Sequence, residues 1–168
     1  LGFQHTLEEA MELCSAMSSE WQEGITLLES LRTSYKDDPD RLADIDLASA
    51  IGLQMKSTEN LLRFYYLRED MLYYRRDHLA RMMDIVKDEI SNTKKMIQLC
   101  GRDCRLGYHS EAEGYLFYPE KLKARIALLE ELLKEDFLNF DLNAALIDEY
   151  TRKKPTVICA VLHKKGSG

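Results

Sequence analysis

Leu79-Ala-Arg-Met-Met-Asp-Ile-Val-Lys-Asp-Glu-Ile-Ser-Asn-Thr-Lys-Lys-Met-Ile-Gln-Leu-Cys100 is the stretch whose reading decides the fold. Leu79, Met82, Val86, Ile90, Thr93, Ile97 and Cys100 recur at three- and four-residue steps, close to heptad spacing, among good helix formers. That period puts a single apolar stripe along one face of a long helix. Downstream, Tyr118-Pro119 introduces Leu122, Ile126, Leu129 and Leu133 at the same period, with the proline suited to a first helical turn. Asp141 is placed to cap a short further helix through about Thr151.

Upstream, Ile45, Ala48, Ile51, Met55, Leu62 and Tyr65 carry the helical period after the polar turn Lys36-Asp-Asp-Pro-Asp40. Arg68 to Asp77 contains neither glycine nor proline, which leaves open one continuous rod or a kink near Asp70 or Asp77. Thr6-Leu-Glu-Glu9 is a capping box. From it, Leu7, Met11, Cys14, Met17, Trp21, Ile25, Leu28 and Leu31 predict a helix over about 7 to 35, with Trp21 as a core anchor. A turn centred near Asp38 sets Gly24 opposite Gly52, where two backbones could cross closely.

The expected fold is therefore all-α: an antiparallel bundle of three long helices plus one or two shorter ones. Pro155-Thr-Val-Ile-Cys-Ala-Val-Leu-His163 is a β-branched apolar run that reads as a single C-terminal strand. A lone strand leaves an open edge, so pairing outside this chain is expected. The division that follows is a helical bundle domain over 1–153 and a strand-like tail over 154–168 that starts a following module.

Composition narrows the function classes. With 45% hydrophobic and 31% charged residues over 168 positions, the chain can bury one core and is too apolar for a disordered segment. A net charge of −6 opposes a nucleic-acid face, which needs concentrated Lys and Arg. No apolar run approaches the roughly 20 residues that span a bilayer. Neither a G-x-G-x-x-G nor a Walker sequence occurs, and no cofactor is implied. The opening Leu1-Gly-Phe-Gln-His5 has neither an initiator methionine nor signal-peptide character, so the chain is expected to be a cut fragment whose compartment cannot be read.

Polar chemistry concentrates in Gly101-Arg-Asp-Cys-Arg-Leu-Gly-Tyr-His-Ser-Glu-Ala-Glu-Gly-Tyr115, between two predicted helices. Long connections of this kind are often functional, which makes Arg105, Tyr108, His109, Glu111, Glu113 and Tyr115 the candidate binding or interface residues. A catalytic reading uses Glu111 and Glu113 as acid and base beside His109. The structural reading, which is favoured, has Arg105 and the carboxylates tie the loop to the bundle while Tyr108, Tyr115 and Phe117 bury their rings. Cys100, Cys104 and His109 lack the second ligand pair of a zinc finger, and Cys14 and Cys100 on apolar stripes read as small buried hydrophobes. Phe64-Tyr-Tyr-Leu-Arg68 and Tyr73-Tyr-Arg-Arg76 pair aromatic faces with charges, either as a sugar platform or as core with a solvated edge.

The block Asp103 to Tyr115, followed by Phe117-Tyr-Pro-Glu-Lys-Leu122 and Arg125-Ile126, resembles the helical region of large gut-bacterial proteins related to glycoside hydrolases. Met17-Ser-Ser-Glu-Trp21-Gln-Glu-Gly24 belongs to the same resemblance, which covers residues 6 to 135 and is most distinctive at Arg105-Leu-Gly-Tyr-His-Ser110. It implies a catalytic barrel before the helical part and β-rich modules after it. No catalytic residue carries over, because the barrel that would hold the paired carboxylates is not in this chain. The function expected is thus a non-catalytic helical domain of a bacterial carbohydrate-active protein, with the 101–118 loop shaping a neighbouring site or bracing the bundle. Its partners are then other domains of the same polypeptide and carbohydrate, with neither nucleic acid nor membrane. A protein interaction or oligomerisation module, including a homodimer joined along near-heptad stripes, is the alternative. An independent hydrolase using His109, Glu111 and Glu113 ranks third.

Overall fold

A computed structural model of the protein describes residues 6–74, 76–109 and 114–140, with the side chains of His109 and Tyr115 outside that description. The fold is all-α. Its helices are α1 (Leu7–Ser30), α2 (Pro39–Tyr74), α3 (Leu79–Arg102) and α4 (Pro119–Glu131). A 3-10 turn (Cys104–Gly107) and a two-residue antiparallel pair, β1 (Tyr108–His109) with β2 (Gly114–Tyr115), join α3 to α4. The short helix from Asp141, the strand Pro155 to His163 and the boundary at 153 lie outside the described residues.

Local chemistry sets the ends. Glu9 N donates to Thr6 Oγ1 at 3.2 Å and Thr6 N to Glu9 Oε2 at 2.9 Å, so the capping box starts α1 as its sequence requires. Past Ser30 the chain tightens into three-residue steps, with Leu31 N donating to Leu28 O and Arg32 N to Glu29 O, which ends α1 short of residue 35. The Asp38 carboxylate accepts from Arg41 N at 3.1 Å just ahead of Pro39, and Pro119 occupies the first turn of α4. A non-helical stretch at residues 76–78, with Asp77 accepting from Leu79 N at 3.0 Å, precedes α3. After α4 a π turn (Leu132–Asp136) closes with Phe137 N donating to Leu132 O. That wider turn seats the buried Phe137 ring edge-on to Phe64, 6.5 Å between centroids.

Cross-helix bonds show the directions. Ser15 meets Glu59, Trp21 meets Ala48 and Arg32 meets Asp46, so α1 and α2 run antiparallel. Asn60 meets Glu89, Leu53 meets Asn92 and Asp46 meets Arg102, so α2 and α3 do too. Two apolar clusters result. The larger packs Phe64, Leu67 and Met71 of α2 on Met82, Val86 and Ile90 of α3, closed by Leu132 and Phe137. The smaller joins Ala50, Met96, Leu99, Cys100, Leu106 and Leu122. Fully burying one such aliphatic side chain contributes about 1.5–3 kcal/mol, so these clusters carry most of the stability.

Helix α1 departs from the expected pattern. Only Ser18 and Ile25 of its residues are buried, while Leu7, Leu13, Met17, Leu27 and Leu28 are exposed. The stripe is present, but among the described residues α1 packs chiefly on α2, along one edge, so most of the stripe is left exposed. Trp21 is accordingly no core anchor: it is 36% exposed and spans the α1–α2 seam, its indole N–H donating to Ala48 O at 2.9 Å. Gly24 does not oppose Gly52 either. A Cβ on Gly24 would meet nothing within 4 Å, whereas one on Gly52 would meet Ile25 Cδ1 at 2.3 Å and Trp21 at 2.9 Å. The small residue on α2 thus receives two side chains of α1 rather than a second glycine. Cys14 is likewise only half-buried, while Cys100 is buried.

Candidate functional site

The connection from α3 to α4 is built from a fixed base and an outward hairpin. Asp103 accepts from Arg105 N at 2.9 Å and starts the 3-10 turn that buries Leu106 and Gly107. Gly107 O then accepts from both Leu116 N at 3.0 Å and Phe117 N at 3.1 Å, tying the two arms together. The approach demands glycine, since a Cβ at Gly107 would lie 2.7 Å from Phe117 O. Phe117 packs on the smaller cluster beside Leu106. The base therefore braces α3 against α4.

Above it, Tyr108 pairs with Tyr115 and His109 with Gly114, and Tyr108 is 48% exposed. This corrects the expectation that Tyr108 buries its ring: at the first strand position it projects beyond the apolar base. Arg105 does not reach the bundle. It forms a forked pair with its neighbour Asp103, Nη2 to Oδ2 at 2.7 Å, on the surface. Hydrogen bonding from Arg105 holds the Asp103 carboxyl below its ordinary value. Glu111 and Glu113 lie outside the described residues, as do the side chains of His109 and Tyr115. The structure thus joins Arg105 to Asp103 and leaves the acid and base pairing of Glu111 with Glu113 untouched. Cys104 is exposed while Cys100 is buried, and burial pushes the Cys100 thiol upward, as suits a packing group rather than a nucleophile.

A second concentration of polar groups lies in the interior, at positions the apolar periodicity passed over. Between the two clusters sits a layer made by Ser57 and Asn60 of α2, Glu89, Asn92 and Thr93 of α3, and Arg125 of α4. Glu89, 6% exposed, accepts from Ser57 Oγ at 2.8 Å and Arg125 Nη2 at 2.9 Å on one oxygen, and from Asn60 Nδ2 at 2.9 Å on the other. A buried carboxylate survives in an apolar setting only when paired and hydrogen-bonded in this way. The sequence signal was Glu89 adjoining Ile90 in the stripe of α3, with Asn60 two residues before Leu62 on α2.

Aspartates close both ends of the α2–α3 pair. Asp46 accepts from Arg32 Nη2 at 2.8 Å and from Arg102 Nε and Nη2 at 3.1 and 2.9 Å, joining three helical segments. Burial pushes Asp46 up, but the Arg102 and Arg32 hydrogen bonds outweigh it and hold the carboxyl below its ordinary value. At the other end Asp70 meets His78 Nε2 at 2.5 Å and Arg76 Nη1 at 3.0 Å, and the His78 hydrogen bond leads in lowering its pKa. Among the described residues no helix is long and apolar enough to cross a membrane. No protein-family model, no curated protein and no solved structure matches this chain.

Proposed function

We propose that this chain is a non-catalytic helical domain of a larger carbohydrate-active protein, a bundle of three long antiparallel helices that braces the 101–118 segment and presents its hairpin to a neighbouring module. The observation that carries this reading is the use made of the interior carboxylates. Asp46 accepts from Arg32 beyond α1 and Arg102 of α3, Glu89 accepts from α2 and α4, and Asp70 accepts from Arg76 and His78 of the α2–α3 junction. A general acid or base must instead reach a substrate proton. These groups join helices.

Two surface features support contact with something outside the chain. Tyr108 stands out from a base that is held on both arms. At the end of α2, Tyr73 and Tyr74 are exposed, with the Arg76 guanidinium over the Tyr74 ring at 5.4 Å. Aromatic faces beside hydrogen-bonding charges suit a sugar ring, which agrees with the resemblance to glycoside-hydrolase-associated helical regions. The test is a thermal-shift screen of the 168-residue chain against neutral and acidic monosaccharides, with Tyr108→Ala and Tyr73→Ala/Tyr74→Ala variants alongside. A midpoint that rises with one sugar and fails to rise in one of the variants supports the reading by mass action. A chain that no sugar shifts contradicts its carbohydrate half.

The outward stripe of α1 favours a second reading, an oligomerisation module in which a second copy covers Leu13, Met17, Trp21 and Leu28. Contiguous exposed apolar surface of this kind marks interaction sites. Sedimentation velocity separates the two: a concentration-independent monomer removes the oligomer reading, and a dimer broken by Met17→Asp establishes it.

A further inference from the structure

Alongside the polar layer, α2, α3 and α4 leave a cleft of about 150 Å³. Its walls are apolar, formed chiefly by Phe64, Ile85, Leu129 and Leu132. Of its apolar lining residues Leu61 and Leu128 reach solvent, 46% and 41% exposed, which marks its outer edge. Its polar end is Ser57, Asn60, Glu89 and Arg125. An apolar cavity of about this volume is large enough to admit a benzene ring.

The hydrogen-bond inventory at the polar end is unbalanced at one atom. Glu89 already accepts from Ser57, Thr93 and Arg125 on one oxygen and from Asn60 on the other. The bond from Asn60 Nδ2 to Glu89 fixes the amide's orientation, because a flipped amide would set its oxygen against the carboxylate. Asn60 Oδ1 is then left as a buried acceptor with no donor among the described residues, in a side chain only 2% exposed. Folded proteins seldom leave such an atom unpaired, so a donor from beyond the described residues is called for, and a bound ligand can supply it. The local charge is already balanced by Glu89 and Arg125, which disfavours an ionic ligand: a carboxylate would face Glu89 and an ammonium would find its counter-charge occupied.

We propose that this cleft is a binding site for a small neutral amphiphile of the phenol class, its ring between Phe64, Ile85 and Leu129 and its hydroxyl donating to Asn60 Oδ1. The site is independent of the domain's role beside a neighbouring module. Sugars are too polar for these walls, and the ring reaches Asn60 past Leu61 and Leu128.

The experiment is a two-dimensional amide NMR titration of the full chain with phenol, toluene and benzoate. Phenol is expected to move the amides of Asn60, Ile85 and Leu129 saturably. Toluene, which lacks the donor, binds about 3- to 10-fold more weakly, and benzoate leaves these amides in place. Leu128→Trp fills the outer edge from a half-exposed position, so binding disappears while the helical circular dichroism and the melting midpoint hold. Asn60→Leu removes the preference for phenol over toluene. Should that variant fail to fold, the wild-type ratio and Leu128→Trp still decide. Shifts that never saturate, or binding that survives Leu128→Trp, overturn the site and leave a water as the partner of Asn60. Equal affinities for phenol and toluene overturn the assigned ligand class.

Discussion

Helices α1 and α3 have the same length, 24 residues each, and both carry an apolar stripe at helical spacing, yet α3 buries ten of its side chains and α1 only two. The difference is one of neighbours. Helix α3 has α2 on one side and α4 on the other, whereas among the described residues α1 packs chiefly on α2. Amphipathic periodicity shows which face of a helix wants cover, but the number of elements available to cover it is a property of the assembled fold. The same kind of stripe is core in one place and exposed surface in the other.

Substitutions that remove apolar volume sharpen this contrast most. Met71→Ala and Met82→Ala, at fully buried positions on α2 and α3, are expected to lose about 2–5 kcal/mol in urea denaturation. Met17→Ala, on the exposed stripe of α1, should stay within about 0.5 kcal/mol of the parent chain. Comparable losses at all three sites would mean that α1 belongs to the core.

The polar layer comes next. Glu89→Ala leaves the buried Asn60 amide without its acceptor and Arg125 without its carboxylate, an expected loss of about 1–3 kcal/mol, moderated because Arg125 is partly exposed. The glycines then separate by sign. Gly107→Ala drives a Cβ into the Phe117 carbonyl and should lower stability by about 1 kcal/mol or somewhat more. Gly24→Ala, with open space around it in a helix interior, should raise stability by about 0.5–1 kcal/mol.

Much of this architecture was legible in the sequence. The capping box at Thr6 and Glu9, Pro39 and Pro119 at helix starts, and the stripe from Leu79 to Cys100 are local signals, and local hydrogen bonding and periodicity settle them. The α2–α3 break was legible only as one of the alternatives, a kink near Asp77, because no glycine or proline marks it and Asp70, Arg76 and His78 tie it through side-chain bonds. Trp21 and Gly24 were misplaced because their surroundings depend on which helix lies beyond α1. Of the loop candidates, Arg105 is an ion-pairing residue as expected, but its pair is with Asp103, two residues away, instead of tying the loop across to the bundle. The interior site around Asn60 and Glu89 was missed because polar residues in an apolar stripe carry no motif. Their meaning arises only when α2 and α3 bring them face to face.

The smallest predicted effect is that of pH. Asp46 and Asp70 both have folded pKa values below their ordinary value of 3.8. Their contribution is complete above that value and is lost as pH falls from it through the lower folded values. Melting midpoints should therefore hold from neutral pH to about pH 5 and then decline toward pH 2. Asp70→Asn should flatten part of that decline, and it should loosen the α2–α3 junction without reaching the α1 seam.

The central claim is that α2, α3 and α4 form the stable body and that α1 is held along one edge with its apolar stripe turned outward. Native-state hydrogen exchange on the dilute 168-residue chain tests it most directly, residue by residue. The account predicts that amides of Leu7–Ser30 exchange well before those of Leu79–Arg102, by openings that leave α3 intact. If α1 and α3 exchange together, at the free energy of global unfolding, α1 is part of the core and its outward stripe is not a contact face.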